Sequence, residues 1–309
     1  MNIWVNHSKL EFENLPRDWC ATSLGGLNLK TNFVGDSNVV EGFVTGRDNL
    51  GRSYIGQIKI DLGDLNNSYI SENSLVELGE KGSFDENGMS YPAYIEYEGD
   101  EYLYYTGWIE GKHVKWYNGI GLLKKVNSGW QRVSKAPVIH RTDIDYIGFG
   151  SNALLKLDSS ILMVVTRFEK WNTEDSPSYN LKFGTSNDLL SFEFQAQPIL
   201  EFQESEYIHS KPLLIKYRNK YLLFFSFRGQ NYQIGCAVSE NLTNWKRVDD
   251  SLGLRSCQVA FFNEMVCYPS IAISNSHAYL FYTGDGYGRA GMGMAKVSIE
   301  IFNELVDML

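Results

Sequence analysis

The chain has 309 residues, of which 43% are hydrophobic and 21% charged, so it has the composition of a folded protein that can bury a sizeable core. Its formal net charge is −9, from 28 basic and 37 acidic residues, which argues against nucleic acid and anionic membrane surfaces as main partners. No segment approaches the roughly 20 uninterrupted apolar residues of a membrane span, and the N-terminus lacks a secretory signal pattern. We therefore expect a cytoplasmic protein.

The cysteines and histidines show no metal-ligand spacing. Cys20, Cys236, Cys257 and Cys267 form no CxxC pair, and no histidine lies at ligand spacing from a cysteine or another histidine. We predict buried free thiols, which fit a reducing compartment, and we expect no metal site and no cofactor.

A short motif recurs five times along the chain at a nearly constant interval. Each copy ends a run of aromatic and β-branched residues, a composition typical of β-strands, in a threonine or serine. The five positions are Thr45, Thr106, Thr166, Ser226 and Thr283, at intervals of 61, 60, 60 and 57 residues. About four strand-like runs per repeat are typical of a β-propeller, because its blades are four-stranded sheets.

A second landmark lies 14 residues before the threonine or serine in the last four repeats. It is Pro92, Pro212 or Pro269 in three of them and Asn152 in the third repeat. These positions are expected to mark the innermost strand of each blade. Helical periodicity is nearly absent, except over residues 299–309.

The repeat predicts an all-β fold, a five-bladed β-propeller with four-stranded blades. The whole chain, residues 1–309, forms one domain in this prediction, with blades centred near residues 45, 106, 166, 226 and 283. A terminal strand, at residues 3–5 or 10–12, is expected to complete one blade. A two-sheet sandwich is the alternative, but it would not repeat at a fixed interval.

Acidic residues precede the innermost strand in repeats two to five. The inner strands of a propeller begin around one mouth of the central channel, so these acids are expected to converge there. Paired carboxylates suit glycosyl chemistry, because one protonates the leaving oxygen and the other activates water or attacks carbon. Asp85, Glu264 and Glu206 are the candidate catalytic residues, ahead of Asp143 and Asp145. For each of them a solvated loop carboxylate is the alternative.

Seven further residues are candidates for binding a ligand, namely Trp108, Arg167, Trp171, His209, Arg228, Asp285 and Tyr287. The aromatic rings offer flat faces to sugars, and the two arginines offer paired N–H donors to a carboxylate or phosphate. The histidine is a candidate to orient a carboxylate, and the aspartate belongs to a glycine-rich turn that could contact a ligand. For the aromatic residues the alternative is packing between blades, and for the arginines it is a salt bridge. For the histidine it is a core hydrogen bond, and for the aspartate it is a plain hairpin turn.

These motifs resemble a known superfamily. The pattern of a proline, an aromatic strand that ends in Tyr-Tyr-Thr-Gly-Trp at residues 104–108, an Ile-Gly pair and a later tryptophan is similar to the five-bladed propellers of arabinanases, xylosidases, invertases and levansucrases (glycoside hydrolase families 43, 62, 32 and 68). Segments 84–92, 264–269 and 284–288 look like a bacterial glycosidase-like group whose genes accompany surface-polysaccharide or O-antigen biosynthesis. The resemblance implies a carbohydrate or nucleotide-sugar substrate.

The chain departs from the superfamily in the first blade. The resemblance implies an aspartate there as base or nucleophile, but residues 20–27 contain no acid and Asp36 fits a turn. Three functions therefore stay open. The first is hydrolysis or transfer of a glycosyl group in bacterial surface-polysaccharide metabolism. The second is carbohydrate binding without catalysis. The third is a mannoside phosphorylase-like activity, with Arg167 and Arg228 near the phosphate.

Overall fold

The structure is a computed structural model that describes residues 2–12, 15–16 and 18–309. It consists mainly of β-strands, as the sequence predicts. In chain order the strands are β1 (Val5–Leu10), β2 (Ser23–Leu29), β3 (Phe33–Gly35), β4 (Val39–Arg47), β5 (Ser53–Asp61), β6 (Tyr69–Ile70), β7 (Gly88–Tyr97), β8 (Asp100–Glu110), β9 (Trp116–Val126), β10 (Gly129–Arg132), β11 (Phe149–Lys156), β12 (Ile161–Thr173), β13 (Ser176–Ser186), β14 (Glu193–Phe194), β15 (Ile208–Tyr217), β16 (Lys220–Arg228), β17 (Tyr232–Ser239), β18 (Lys246–Arg247), β19 (Cys267–Ser274), β20 (His277–Thr283) and β21 (Met292–Ser298).

Helices are short and lie outside the repeated pattern. They are α1 (Asp249–Leu252), α2 (Asp285–Gly288) and α3 (Ile299–Met308), with 3-10 turns at Leu65–Asn67 and Ser256–Gln258. The α3 helix begins where the side chain of Ser298 accepts a hydrogen bond from the N–H of Ile301, and it buries Phe302 and Val306. No helix in the described ranges is long and apolar enough to cross a bilayer.

Strand pairing gives three sheets, because parallel contacts join β5 to β7, β13 to β15 and β3 to β19. Within these sheets the antiparallel pairs group every strand except β3 into five units, which we call units 1 to 5. Their strand orders are β2–β4–β5–β6, β7–β8–β9–β10, β11–β12–β13–β14, β15–β16–β17–β18 and β19–β20–β21–β1. The last strand of unit 5 comes from the N-terminal end, because Val5 pairs with Lys296 and Leu10 with Met292. The terminal strand therefore covers the residues between the two segments that the sequence suggested and touches both.

The first strands of the five units contact one another in a cycle. β2 contacts β7, β7 contacts β11, β11 contacts β15, β15 contacts β19, and β19 contacts β2. Apolar side chains fill every interface of this cycle, as shown by Phe43 with Leu103 between units 1 and 2 and by Val44 with Phe281 between units 5 and 1. The burial of these faces supplies the main stabilisation of the fold.

Every first strand carries a β-bulge at the same point of its course. A bulge frees one backbone N–H from the strand ladder, and that donor needs another partner. Hydroxyl groups of the preceding unit supply it at four bulges. The pairs are Tyr91 N–H to Thr45 Oγ1 (2.9 Å), Lys211 N–H to Ser151 Oγ (2.9 Å), Tyr268 N–H to Ser226 Oγ (2.8 Å) and Gly26 N–H to Thr283 Oγ1 (3.0 Å).

These hydrogen bonds explain the threonine or serine at four of the five repeat positions, whereas the Oγ1 of Thr106 has no partner among the described residues. Thr45, Ser226 and Thr283 act directly, whereas Thr166 acts through Ser151, whose hydroxyl lies 2.9 Å from its own. The bond from Gly26 to Thr283 joins the first unit to the last.

The cysteines of the described chain form no disulfide. Cys20, Cys236 and Cys267 are buried, as predicted. The prediction is wrong for Cys257, which is exposed because it lies in the surface turn Ser256–Gln258.

Removing the hydroxyl that joins units 5 and 1 tests this explanation of the repeat. Thr283→Val leaves the N–H of Gly26 unpaired in the interior, so we expect the free energy of unfolding to fall by about 1–3 kcal/mol in urea titrations. Thr106→Val is the matched control, because Thr106 is equally buried but its Oγ1 has no partner among the described residues. We expect the control to change by less than about 0.5 kcal/mol. Equal losses in the two variants would contradict the role assigned to the hydroxyl.

Candidate functional site

A cluster of tyrosines lies where the first strands of the units begin. We call this surface the mouth and define it by Tyr91, Tyr179, Tyr207, Tyr232, Tyr268, Tyr287 and Arg228. Its residues come from units 2 to 5 and from the segments that precede their first strands. The hydroxyl of Tyr91 donates to that of Tyr268 at 2.9 Å, so units 2 and 5 meet across unit 1.

Unit 1 makes room for this contact by having glycine at the equivalent position. Gly26 has a φ of +63°, and a Cβ built on it would lie 3.3 Å from the ring of Tyr91. A side chain at this position would therefore crowd the ring and strain the backbone.

Positive φ angles recur around the mouth. Tyr91, Lys211 and Tyr268 occupy the bulges with φ of 51°, 44° and 57°, and Tyr287 lies in the α2 turn with φ of 59°. Left-handed backbone costs a bulky residue about 1–2 kcal/mol, and such strain is concentrated at functional sites. Holding these side chains in place therefore lowers the free energy of unfolding of the protein.

Arg228 is the positive charge of the mouth, and it has no acidic partner among the described residues. Its guanidinium lies over the rings of Tyr207 (5.8 Å) and Tyr232 (5.3 Å), while its Nε is buried without a hydrogen-bond partner. Tyr287 lies beside it and packs on Tyr232 at 5.9 Å. An arginine with a free donor in an aromatic site can receive a carboxylate or phosphate.

The phenols of the mouth are neutral donors and acceptors near pH 7. Burial raises the pKa of Tyr179, Tyr232 and Tyr268 well above the usual value, and it also raises that of Tyr91. These groups can hydrogen-bond sugar hydroxyls and offer ring faces, but they cannot serve as anionic nucleophiles.

The structure places Asp85 inside an ion pair. Its carboxylate is almost fully buried and accepts hydrogen bonds from Arg132 Nε (2.8 Å) and Tyr105 Oη (2.9 Å). Arg132 lies on β10, the outermost strand of unit 2, so the aspartate ties the loop before β7 to the far edge of its sheet.

Glu206 is held in the same way in unit 4. It accepts hydrogen bonds from His209 Nε2 (2.9 Å) and from both terminal nitrogens of Arg247 (2.7 and 3.0 Å). Burial alone would raise the pKa of Glu206, but these donors outweigh it and lower the pKa to about 2. A carboxyl group with so low a pKa is unsuited to protonate a leaving group. His209 is fully buried, and burial lowers its pKa, so it is a neutral donor to Glu206.

Glu264 differs from the other two candidate catalytic residues, because it is exposed and its carboxylate has no partner among the described residues. Its backbone N–H donates to Asp285 Oδ1 at 2.9 Å. Asp285 also accepts the N–H groups of Asn263 and Met265, and these three bonds outweigh burial and lower its pKa. Asp285 thus fixes the loop that presents Glu264.

The remaining candidate ligand-binding residues are held in contacts with other side chains. Arg167 donates to Asp145 at 2.8 Å, so it forms the salt bridge that the sequence left as the alternative. Trp108 donates from Nε1 to Ser53 Oγ at 2.7 Å. The ring of Trp171 packs against that of Trp116 at 5.3 Å, with both half-buried.

Sequence reasoning named Tyr287 and Arg228 as candidate ligand-binding residues, and the structure brings them together, but it missed the other five tyrosines of the mouth. A signal was present, because Tyr91, Lys211 and Tyr268 directly precede Pro92, Pro212 and Pro269. The sequence analysis assigned the catalytic role to the acidic residues before these prolines instead.

Comparisons with known proteins define the class of the fold. No protein-family model matches the chain. An uncharacterised protein of Mycobacterium tuberculosis, Rv1502, is 26% identical over 82% of this chain and 86% of its own length.

Solved structures share the whole fold at low sequence identity. The structure of BT0996 in an RGII complex has a TM-score of 0.73 at 14% identity, over 96% of this protein and 92% of that one. A structure from the GH130 family of mannoside phosphorylases, described as containing hydrolases that target β-1,2-mannosidic linkages in Candida mannan, has a TM-score of 0.67 at 14% identity, over 91% and 86%. Family-43, GH62 and GH32 enzymes are also similar. The chain therefore has the fold of propeller-type glycosidases.

The ion pair of Glu206 gives a pH-dependent expectation. Since the pKa of Glu206 falls from 4.5 to about 2 on folding, its stabilisation is full above pH 4.5 and is lost as the pH falls towards 2. Glu206→Gln should therefore lower the free energy of unfolding by about 2 kcal/mol at pH 7, and the difference from wild type should shrink between pH 5 and pH 2. Glu264→Gln, at an exposed carboxylate, is the control and should leave the curve unchanged. Parallel curves for wild type and Glu206→Gln in urea titrations would contradict the assignment.

Proposed function

We propose that the protein binds a carbohydrate with an anionic group, such as a uronate, at the mouth of a single-domain five-bladed propeller. The cyclic contact of five first strands and the Gly26–Thr283 hydrogen bond support the five-bladed ring. The observation that carries the ligand assignment is Arg228, whose buried Nε has no partner among the described residues while tyrosine rings surround its guanidinium.

The chemistry of the mouth fits a sugar ring. Tyr232 and Tyr287 offer apolar faces beside Arg228, and the Tyr91–Tyr268 pair offers hydroxyl groups. A ligand with C–H faces, hydroxyl groups and one negative charge would satisfy the aromatic, polar and cationic groups together. The resemblance to bacterial surface-polysaccharide proteins supports a sugar of that class, free or as a nucleotide sugar. A cytoplasmic location belongs to the same proposal, supported by unpaired cysteines.

Hydrolysis or transfer of a glycosyl group is the second candidate. The fold shared with glycosidases favours it, as does the free carboxylate of Glu264. Under this candidate Asp85 and Glu206 share the chemistry with Glu264, which requires both to leave the ion pairs described above. A phosphorylase-like reaction would depend on Arg228 for phosphate, because Arg167 is already paired with Asp145.

Charge removal at the mouth tests the proposed ligand. Arg228→Leu should weaken the binding of glucuronate-containing oligosaccharides at least about tenfold in calorimetry, because a charge-assisted hydrogen bond is lost. Arg218→Leu is the matched control, since Arg218 is exposed and pairs with Asp307 at the opposite end of the β15–β16 hairpin. Its affinity should equal that of wild type. Unchanged affinity in Arg228→Leu, or an equal loss in both variants, would contradict the proposal.

A turnover assay separates binding from catalysis. We expect wild type to bind acidic sugars without cleaving aryl glycosides or consuming nucleotide sugars, with or without phosphate, because the buried acids are committed to ion pairs. Turnover that is lost in Glu264→Gln, while sugar binding remains, would contradict this expectation and establish the second candidate. Asp85→Asn would then be assayed beside it, with circular dichroism to confirm folding.

A further inference from the structure

Lys211 is a buried lysine that nothing in the described structure neutralises. Its residue is 1% exposed, and its Nζ has neither an ion pair nor a hydrogen-bond partner among the described residues. Lys182, the other fully buried lysine, shows the usual solution, because its Nζ contacts Asp145 Oδ1 at 2.7 Å. Lys211 therefore differs from Lys182, whose charge is compensated within the described structure.

Lys211 occupies the same strand position as two tyrosines whose side chains meet. It occupies the bulge of β15 and shares a positive φ with Tyr91 and Tyr268 at the bulges of β7 and β19. The side chains of those two tyrosines come from units that are not neighbours, yet their hydroxyls meet at 2.9 Å. The same bulge position and sign of φ would carry the side chain of Lys211 in the same direction from unit 4, towards the space that the first strands enclose.

A buried ammonium without a counter-charge is costly. Desolvation lowers the pKa of Lys211 to about 8, so most of the molecules still carry the positive charge at pH 7. Removal of such a charge from water costs several kcal/mol unless a partner of opposite sign approaches it. The described residues supply no such partner, so the charge needs one from outside the chain.

We propose that the ammonium of Lys211 binds an oxyanion group, such as a carboxylate, sulfate or phosphate, inside the channel beneath the mouth. The Tyr91–Tyr268 pair supports this site, because only one of its two hydroxyl protons is used in the bond between them. The second proton can be donated to the same anion. The site is separate from Arg228 and does not depend on the function proposed for the mouth.

The oxyanion can come from two sources, which share the same chemistry. It is either a free inorganic ion or the anionic group of a sugar that enters from the mouth. Inorganic sulfate is the probe for the first source, since its charge is constant between pH 7 and pH 10. Glucuronate is the probe for the second, with glucose as its neutral counterpart.

Calorimetric titrations of wild type and Lys211→Met with each probe test the proposal. We expect the affinity for sulfate, for glucuronate or for both to fall at least about tenfold in Lys211→Met, and the probe affected identifies the source. Lys216→Met is the matched control, because Lys216 is exposed on the same strand, and its affinities should equal those of wild type. Unchanged affinity of Lys211→Met for both probes would overturn the proposal.

The thermal stability of the lysine variants in anion-free buffer gives a second readout, because the proposal predicts the direction of the change. Lys211→Met removes an uncompensated charge, so its midpoint of thermal unfolding should lie above that of wild type, whereas Lys182→Met should be destabilised. A lower midpoint for Lys211→Met, or failure to fold, would show that the protein itself satisfies the ammonium and would overturn the proposal.

Wild type alone gives a third readout. Sulfate should raise the unfolding midpoint at pH 7 and much less at pH 10, where Lys211 is neutral. The hydroxyls of Tyr91 and Tyr268 stay protonated over this range, because burial raises their pKa. An equal effect of sulfate at the two pH values would overturn the proposal.

Discussion

The hydrogen bonds between the bulge of one unit and a hydroxyl of the preceding unit are the constraint on which the rest of this structure depends. The bulges of β7 and β19 bring the side chains of Tyr91 and Tyr268 together, but a bulge also removes an N–H from the ladder. The hydroxyls of Thr45, Ser226 and Thr283 satisfy that donor directly, and they do so across the boundary between units. The same interaction thus sets the distance between units and supplies the side chains of the mouth.

The distribution of buried charges follows from this arrangement of the five units. The loops that precede the first strands are long and need anchors, and buried carboxylates provide them through Arg132, Arg167 and Arg247. These acids account for part of the excess of acidic residues. Arg228 and Lys211 stand apart, since both are cations at the mouth or in the channel without an acidic partner in the described structure. A protein with a net charge of −9 therefore presents local positive charge where a ligand would enter.

Much of the fold could be predicted from the sequence, because the repeat has a direct physical cause. The threonine or serine recurs since four of the five bulges are satisfied by such a hydroxyl, directly or through Ser151, and the interval follows from four strands and their turns. Acids before the inner strands were also predicted, but their role was not. A carboxylate in a loop looks the same in sequence whether it faces solvent or a buried arginine, and Arg132 lies 47 residues after Asp85. The partner that decides the role of such an acid is therefore distant in the chain.

The mouth itself was the least predictable part. Apart from Tyr287, which the sequence analysis named, its tyrosines come from separate units and each one by itself has the sequence signature of a core residue. The positive φ of the bulge is shared by Tyr91, Lys211 and Tyr268, and no local sequence pattern other than the following proline marks it.

A crystal structure of the protein soaked with a glucuronate-containing oligosaccharide tests the central claim most directly. We expect the sugar ring to lie against Tyr232 and Tyr287, with its carboxylate within hydrogen-bond distance of Arg228. A sugar bound elsewhere on the protein, with Arg228 untouched, would contradict the proposed role of the mouth.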